Sequence, residues 1–165
     1  ISFFYFIFFL IFLIYKYFVK QFKIDKFKSN FIIGYHLMFV MIAYIYSITN
    51  VNDHDSFFQS SYYFPDFDDG YISNIFMHKI YYFLIFYLNL SYFSIFIFFG
   101  FLSSIGFVIL FYIFIGLGKK YKINENIIFY LLLFPTWHFF TSFPGKDSLF
   151  LLSLSLIFYF LKLVE

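Results

Sequence analysis

The chain has 165 residues, of which 63% are hydrophobic, 32% aromatic and 12% charged, with a formal net charge of +2. Soluble domains run nearer about 45–50% apolar and about 25% charged, so a mean hydropathy of +0.85 leaves too little polar surface to cover a soluble fold. The absence of cysteine excludes a disulfide framework and thiolate chemistry.

These numbers predict an all-α integral membrane protein, a polytopic helical bundle. A crossing helix takes about 20 apolar residues for a hydrocarbon core of about 30 Å. The first such stretch is ISFFYFIFFLIFLIY (1–15). Its lysines follow the apolar run and no small-residue cleavage site comes after, so it reads as a short first span and not as a secretory signal. The second span is 31–49. The apolar run from Ile80 to Gly118 is too long for one crossing and too short for two, so it divides near Ser91 into an interfacial helix (80–91) and a span at 94–118. The fourth span, 127–143, contains Pro135, which removes a backbone donor and bends the helix. The fifth is 148–163. About five transmembrane helices are therefore expected, with an outer loop and interfacial helix occupying 50–91. The runs are apolar on every side, unlike the alternating strands of a membrane barrel. A chain that opens on Ile1 and stops soon after an apolar run reads as part of a longer polytopic protein, a single incomplete transmembrane domain.

Orientation follows from the lysines in short loops. Loop 16–30 carries Lys16, Lys20, Lys23, Lys26 and Lys28 against Asp25, and loop 119–125 carries Lys119, Lys120 and Lys122. Loop 50–79 carries Lys79 alone against Asp53, Asp55, Asp66, Asp68 and Asp69. The lysine loops are expected in the cytoplasm and the aspartate loop outside. One further crossing puts the segment SFPGKDS (142–148) outside as well.

The candidate functional residues gather at that outer face. Asp53, His54 and Asp55 follow the second span closely, where half-desolvated carboxylates can act as a general base or bind a divalent ion. The plain alternative is a solvated acidic loop. DFDDGY (66–71) lacks the ligand spacing of a calcium loop and reads as a turn closed by Gly70. Asp147 or Ser148 suits the start of the fifth helix. Lys146 at a helix N-terminus makes better sense if an anion, such as a lipid phosphate, joins the free N–H groups. His138 is an ionisable residue within a span and so a functional candidate, with satisfaction by a neighbouring helix as the alternative. His36 reads as structural. His78, beside Lys79, can meet headgroups or substrate. Gly100, Ser103, Ser104 and Gly106 form a small-residue patch suited to close helix packing. No P-loop, dinucleotide fingerprint or zinc pattern occurs, and nothing points to nucleic acid.

The stretch LLLFPTWHFFTSFPGKDSLFLLSLSLIFYFL resembles a segment of polyprenyl-phosphate-dependent membrane glycosyltransferases with the GT-C fold, especially the bacterial relatives of protein mannosyltransferases. There a span ends in a P-S/T-x-x-F-W-S-like segment, followed by K-D or K-E and another span. Pro135, Thr136, Phe139, Thr141, Ser142, Lys146 and Asp147 occupy those places, with Phe140 near where the pattern prefers tryptophan. HDSFF places Asp55 in the acidic outer-loop setting of that family, and Asp53 leaves the choice of aspartate open. The resemblance covers about 31–163 and implies the N-terminal part of a GT-C-type membrane domain in a bacterial plasma membrane, active on its outer face. It implies transfer of a sugar from a polyprenyl-phosphate donor to an acceptor hydroxyl on a glycan, lipid or protein, with inversion. Asp55 or Asp53 would be the base, and Lys146 would stabilise the leaving phosphate with Asp147, His138, His54 and His78 nearby. A divalent magnesium or manganese ion at Asp53–Asp55 is compatible with this chemistry but not required by it. The alternatives are a polysaccharide polymerase, a transporter or a non-catalytic polytopic protein.

Overall fold

A computed structural model describes residues 25–50 and 72–164, together with positions 9, 13, 16, 17, 20, 58, 59 and 61. Among the described residues the regular elements are helical, with no strand. They are α1 (Lys26–Thr49), α2 (Ile72–Tyr82) followed by a π-helical turn (Phe83–Tyr87), α3 (Tyr92–Lys120), α4 (Glu125–Leu132), α5 (Pro135–Phe140) and α6 (Lys146–Val164). Two of them, α1 and α3, are long and apolar enough to cross a membrane.

Local chemistry sets the boundaries. Asp25 caps α1 by accepting from the Phe27 N–H at 2.8 Å, leaving fewer orphan donors at the helix start. The apolar run divides at Ser91, whose hydroxyl accepts from the Ser94 N–H at 3.3 Å. Asn89, at φ 50°, makes the left-handed turn just before it, a conformation asparagine tolerates better than most residues. At the far end of α3, Lys122 takes φ 58° and the Ile123 N–H reaches the Gly118 carbonyl at 2.8 Å. That closure normally uses glycine.

The segment around Pro135 is two helices, not one bent helix. Pro135 cannot donate to Leu131, so the ladder stops at Leu133 and restarts with the proline as the first residue of α5. The Leu131 carbonyl instead accepts from the Phe134 N–H at 3.3 Å. The Leu132 carbonyl accepts from the His138 side chain at 2.7 Å. In apolar surroundings freed backbone groups need such substitutes.

Helix α3 is the centre of the bundle. Helix α1 lies antiparallel to it, with Ser47 bonded to Tyr92 at one end and His36 bonded to Ser103 further in. The pair α4–α5 climbs along α1, from the Lys28–Glu125 ion pair (2.7 Å) to the rings of Tyr46, Phe139 and Phe143. Lys28 and Tyr46 are separated by roughly 27 Å of helix. Helix α6 returns parallel to α3, with Tyr159 beside Tyr112. At Gly106 a Cβ would stand 3.2 Å from the Leu152 Cα, and at Gly100 one would meet the Val40 side chain, so the small-residue patch serves close approach to both α6 and α1. Helix α2 and its π-helical turn pack over the end of α3, burying Met77, Tyr81, Leu84 and Ile85 against Ile95 and Phe99.

The core is apolar but includes many small polar side chains, while large apolar side chains cover much of the exterior. Ser29, His36, Ser47, Ser103, Ser104, His138, Ser142, Ser148 and Ser155 are buried, whereas Phe31, Met41, Ile45 and Ile48 on α1 and Phe150, Phe160 and Leu163 on α6 are exposed. Exposed apolar area on this scale needs a cover.

Candidate functional site

The sequence candidates separate into two places. Asp53, His54 and Asp55, and with them the expected metal position, lie outside the described residues, as do Asp66, Asp68 and Asp69. Among the described residues no cluster of three His, Cys, Asp or Glu side chains is placed to hold a metal ion.

Lys146 and Asp147 stand at the first turn of α6, both exposed. The Lys146 ammonium donates to the Asn74 side-chain oxygen across the gap to α2. Asn74, His78 and Tyr81 are spaced to share one face of α2, and this face meets the turn that leads into α6. Tyr81 is fully buried and donates its hydroxyl to the Pro144 carbonyl at 2.7 Å. Burial, with Tyr92 nearby, pushes the Tyr81 hydroxyl well above its usual range, so it stays a proton donor. His78 is buried at 2% exposure and does not present itself at the surface as expected. Its carbonyl accepts from the Ser61 hydroxyl at 3.1 Å. Ser148 does not cap α6. Its hydroxyl turns back to the carbonyls of Thr141 (3.0 Å) and Phe143, stiffening the same turn.

Asp147 also borders a cleft of about 370 Å³ between α3, α5 and α6, with Thr136 and Thr141 as its other polar margins and Phe107, Leu110, Phe140 and Leu154 among its walls. Phe114 and Trp137 line this cleft and a second one of about 570 Å³, which continues past Leu117 and Leu131 to Tyr121. An almost wholly apolar track thus runs from the Lys146 turn toward the lysine end of α3. No protein family, curated protein or solved structure matches the chain.

His138 belongs to the second place. It turns into the bundle, fully buried, with its Nδ1 atom 3.0 Å from Nδ1 of His36. His36, read from sequence as structural, is its direct partner and bonds Ser103 through Nε2 at 2.6 Å. Phe107 stacks on the His138 ring at 4.1 Å and Tyr35 meets it edge-on at 4.9 Å. The apolar runs 31–49 and 127–143 carry one histidine each, and pairing of such residues is the usual way to keep them in apolar surroundings. That signal was available in the sequence. Asn74 and Tyr81 were not distinguishable within a run rich in aromatic and polar interfacial residues.

Proposed function

We propose that the chain is a membrane-embedded glycosyltransferase that moves a sugar from a polyprenyl-phosphate donor to an acceptor hydroxyl at the outer face of a bacterial plasma membrane. The observation that carries this reading is the juxtaposition of the Lys146–Asp147 turn with the mouth of the apolar track, a cation and a helix N-terminus beside a groove suited to an isoprenoid tail. In this reading five spans cross the bilayer, of which α4–α5 together form one and α6 another. The lipid covers the exposed apolar faces of α1 and α6. The exposed apolar exterior of the bundle supports that placement.

The donor phosphate approaches Lys146, which Asn74 holds at the α2 surface. Negative charge grows on the phosphate oxygen as the sugar–oxygen bond breaks, and a fixed ammonium stabilises that charge more than it stabilises the ground state. Asp55, or Asp53, takes the proton of the acceptor hydroxyl as its oxygen attacks the anomeric carbon from the opposite side, which inverts the configuration. In this reading His54 and Asp147 serve as secondary contacts. His138 and His78 are buried and are no longer assigned to donor binding.

Membranes containing the full-length protein, incubated with radiolabelled polyprenyl-phosphate sugars, test the reading. Transfer is expected in the wild type and its loss is expected in Asp55→Asn and Lys146→Met at unchanged protein level. Undiminished transfer in both variants removes their catalytic roles, and no transfer from any such donor by the wild type rejects the activity.

A further inference from the structure

We propose that the His36–His138 junction, together with Ser103, is a binding site for a single proton, held between the two Nδ1 atoms. The inference stands on the buried network and does not depend on the glycosyl-transfer reading. A backbone carbonyl can only accept, so the contact from His138 Nε2 to the Leu132 oxygen at 2.7 Å requires hydrogen on Nε2. In the neutral ring this leaves a lone pair on Nδ1, facing His36 Nδ1 at 3.0 Å. His36 Nε2 lies 2.6 Å from the Ser103 oxygen, which is also 3.0 Å from the Phe99 carbonyl and 3.1 Å from that of Gly100.

Hydrogen counting shows what an added proton would complete. The neutral side chains of His36, His138 and Ser103 bring one hydrogen each to this network. There are four places for one: Leu132 to His138, His138 to His36, His36 to Ser103, and Ser103 to the α3 carbonyls. Without a further proton one place stays empty: either the two Nδ1 lone pairs face each other at 3.0 Å, or every hydrogen points from Ser103 toward Leu132 and the serine leaves the α3 carbonyls. One added proton fills all four. His36 then donates to Ser103, Ser103 donates back to α3, and the two rings share the hydrogen between their inner nitrogens.

The dimensions favour a proton over a metal ion. Among the described residues no third His, Cys, Asp or Glu joins the pair to complete a metal site, whereas 3.0 Å is an ordinary hydrogen-bond separation. The chain ends on backbone carbonyls at both sides, and His36, Ser103 and His138 are fully buried, so it stores a proton and does not pass one through. The stacked face of Phe107 suits a shared positive charge. Around the pair, α1 contributes Tyr35 and Phe39, α3 contributes Phe107, and the described contacts include no carboxylate or lysine. The charged residues of these helices, Lys26, Lys28, Lys119, Lys120 and Glu125, sit at their lysine ends.

The test is nitrogen NMR of the full chain, labelled with ¹⁵N-histidine in lipid nanodiscs, during acidification to the limit of the fold. Expected are a His138 Nε2 that stays protonated throughout, uptake of one proton by the pair, and both Nδ1 signals moving with a common midpoint. His36→Gln and His138→Gln assign the signals and should each abolish the shared step. If those variants do not fold, Ser103→Ala retains both rings and should shift the His36 Nε2 signal selectively. Two separate one-ring titrations, no titration before tertiary structure is lost, or a bound metal in the purified chain would each overturn the proposal.

Discussion

At the Lys146 turn, polar groups meet across an exposed seam between α2 and α6, whereas at the His36–His138 junction every polar atom is enclosed by aromatic rings. The same kinds of contact have different consequences in the two settings. An exposed ammonium that loses Asn74 is rehydrated at little cost. A buried imidazole that disappears strands its partners in a medium with no substitute donors. The seam is therefore free to change for chemistry, and the junction is where the fold is held.

The sharpest way to break this contrast is to truncate one residue in each region. His138→Ala opens a cavity and leaves both the Leu132 carbonyl and His36 unsatisfied, a loss of about 3–5 kcal/mol. Lys146→Ala should stay within about 0.5 kcal/mol. Reversible unfolding in mixed micelles reads both, and equal effects would erase the distinction. Next in size is Gly106→Val. Its side chain meets the Leu152 backbone, which cannot yield as a side chain would, so about 1–3 kcal/mol of stability should be lost and α6 pushed from α3.

How much of this was legible beforehand depended on the range of the interactions. The apolar lengths of α1 and α3 are properties of continuous sequence, and Pro135 announces a disturbance by its missing donor. What Pro135 does next is not local. Whether its freed carbonyls find a bent helix, a water or the imidazole of His138 depends on where α1 and α3 stand. For the same reason His36 read as a bystander until the break in α4–α5 brought His138 to its level. The face formed by Asn74, His78 and Tyr81 has helical spacing, but only the returning turn at Pro144 gives it a partner.

Tyr81 joins the two kinds of region, because it is buried yet serves the exposed turn. Tyr81→Phe should cost about 1 kcal/mol through the lost bond to Pro144. The tyrosine in the fold ionises above its usual value, so its contribution is complete below a pH of about 10 and is lost as pH rises beyond that. The wild type should lose stability on that alkaline limb and Tyr81→Phe should lose less, a difference measurable by unfolding at several pH values. The smallest effect is a gain. Lys122→Gly removes a side chain from a left-handed position and should stabilise the chain by about 1 kcal/mol.

The proposed outer-face chemistry requires the Lys146 end and the lysine end of the bundle to lie on opposite sides of a membrane. The chain contains no cysteine, so single replacements are clean reporters. Lys79→Cys on α2 and Lys120→Cys at the end of α3 are both exposed positions. In intact cells, a membrane-impermeant maleimide should label Lys79→Cys at once and Lys120→Cys only after permeabilisation. Labelling of both from the same side would contradict the crossing arrangement and with it the proposed outer-face chemistry.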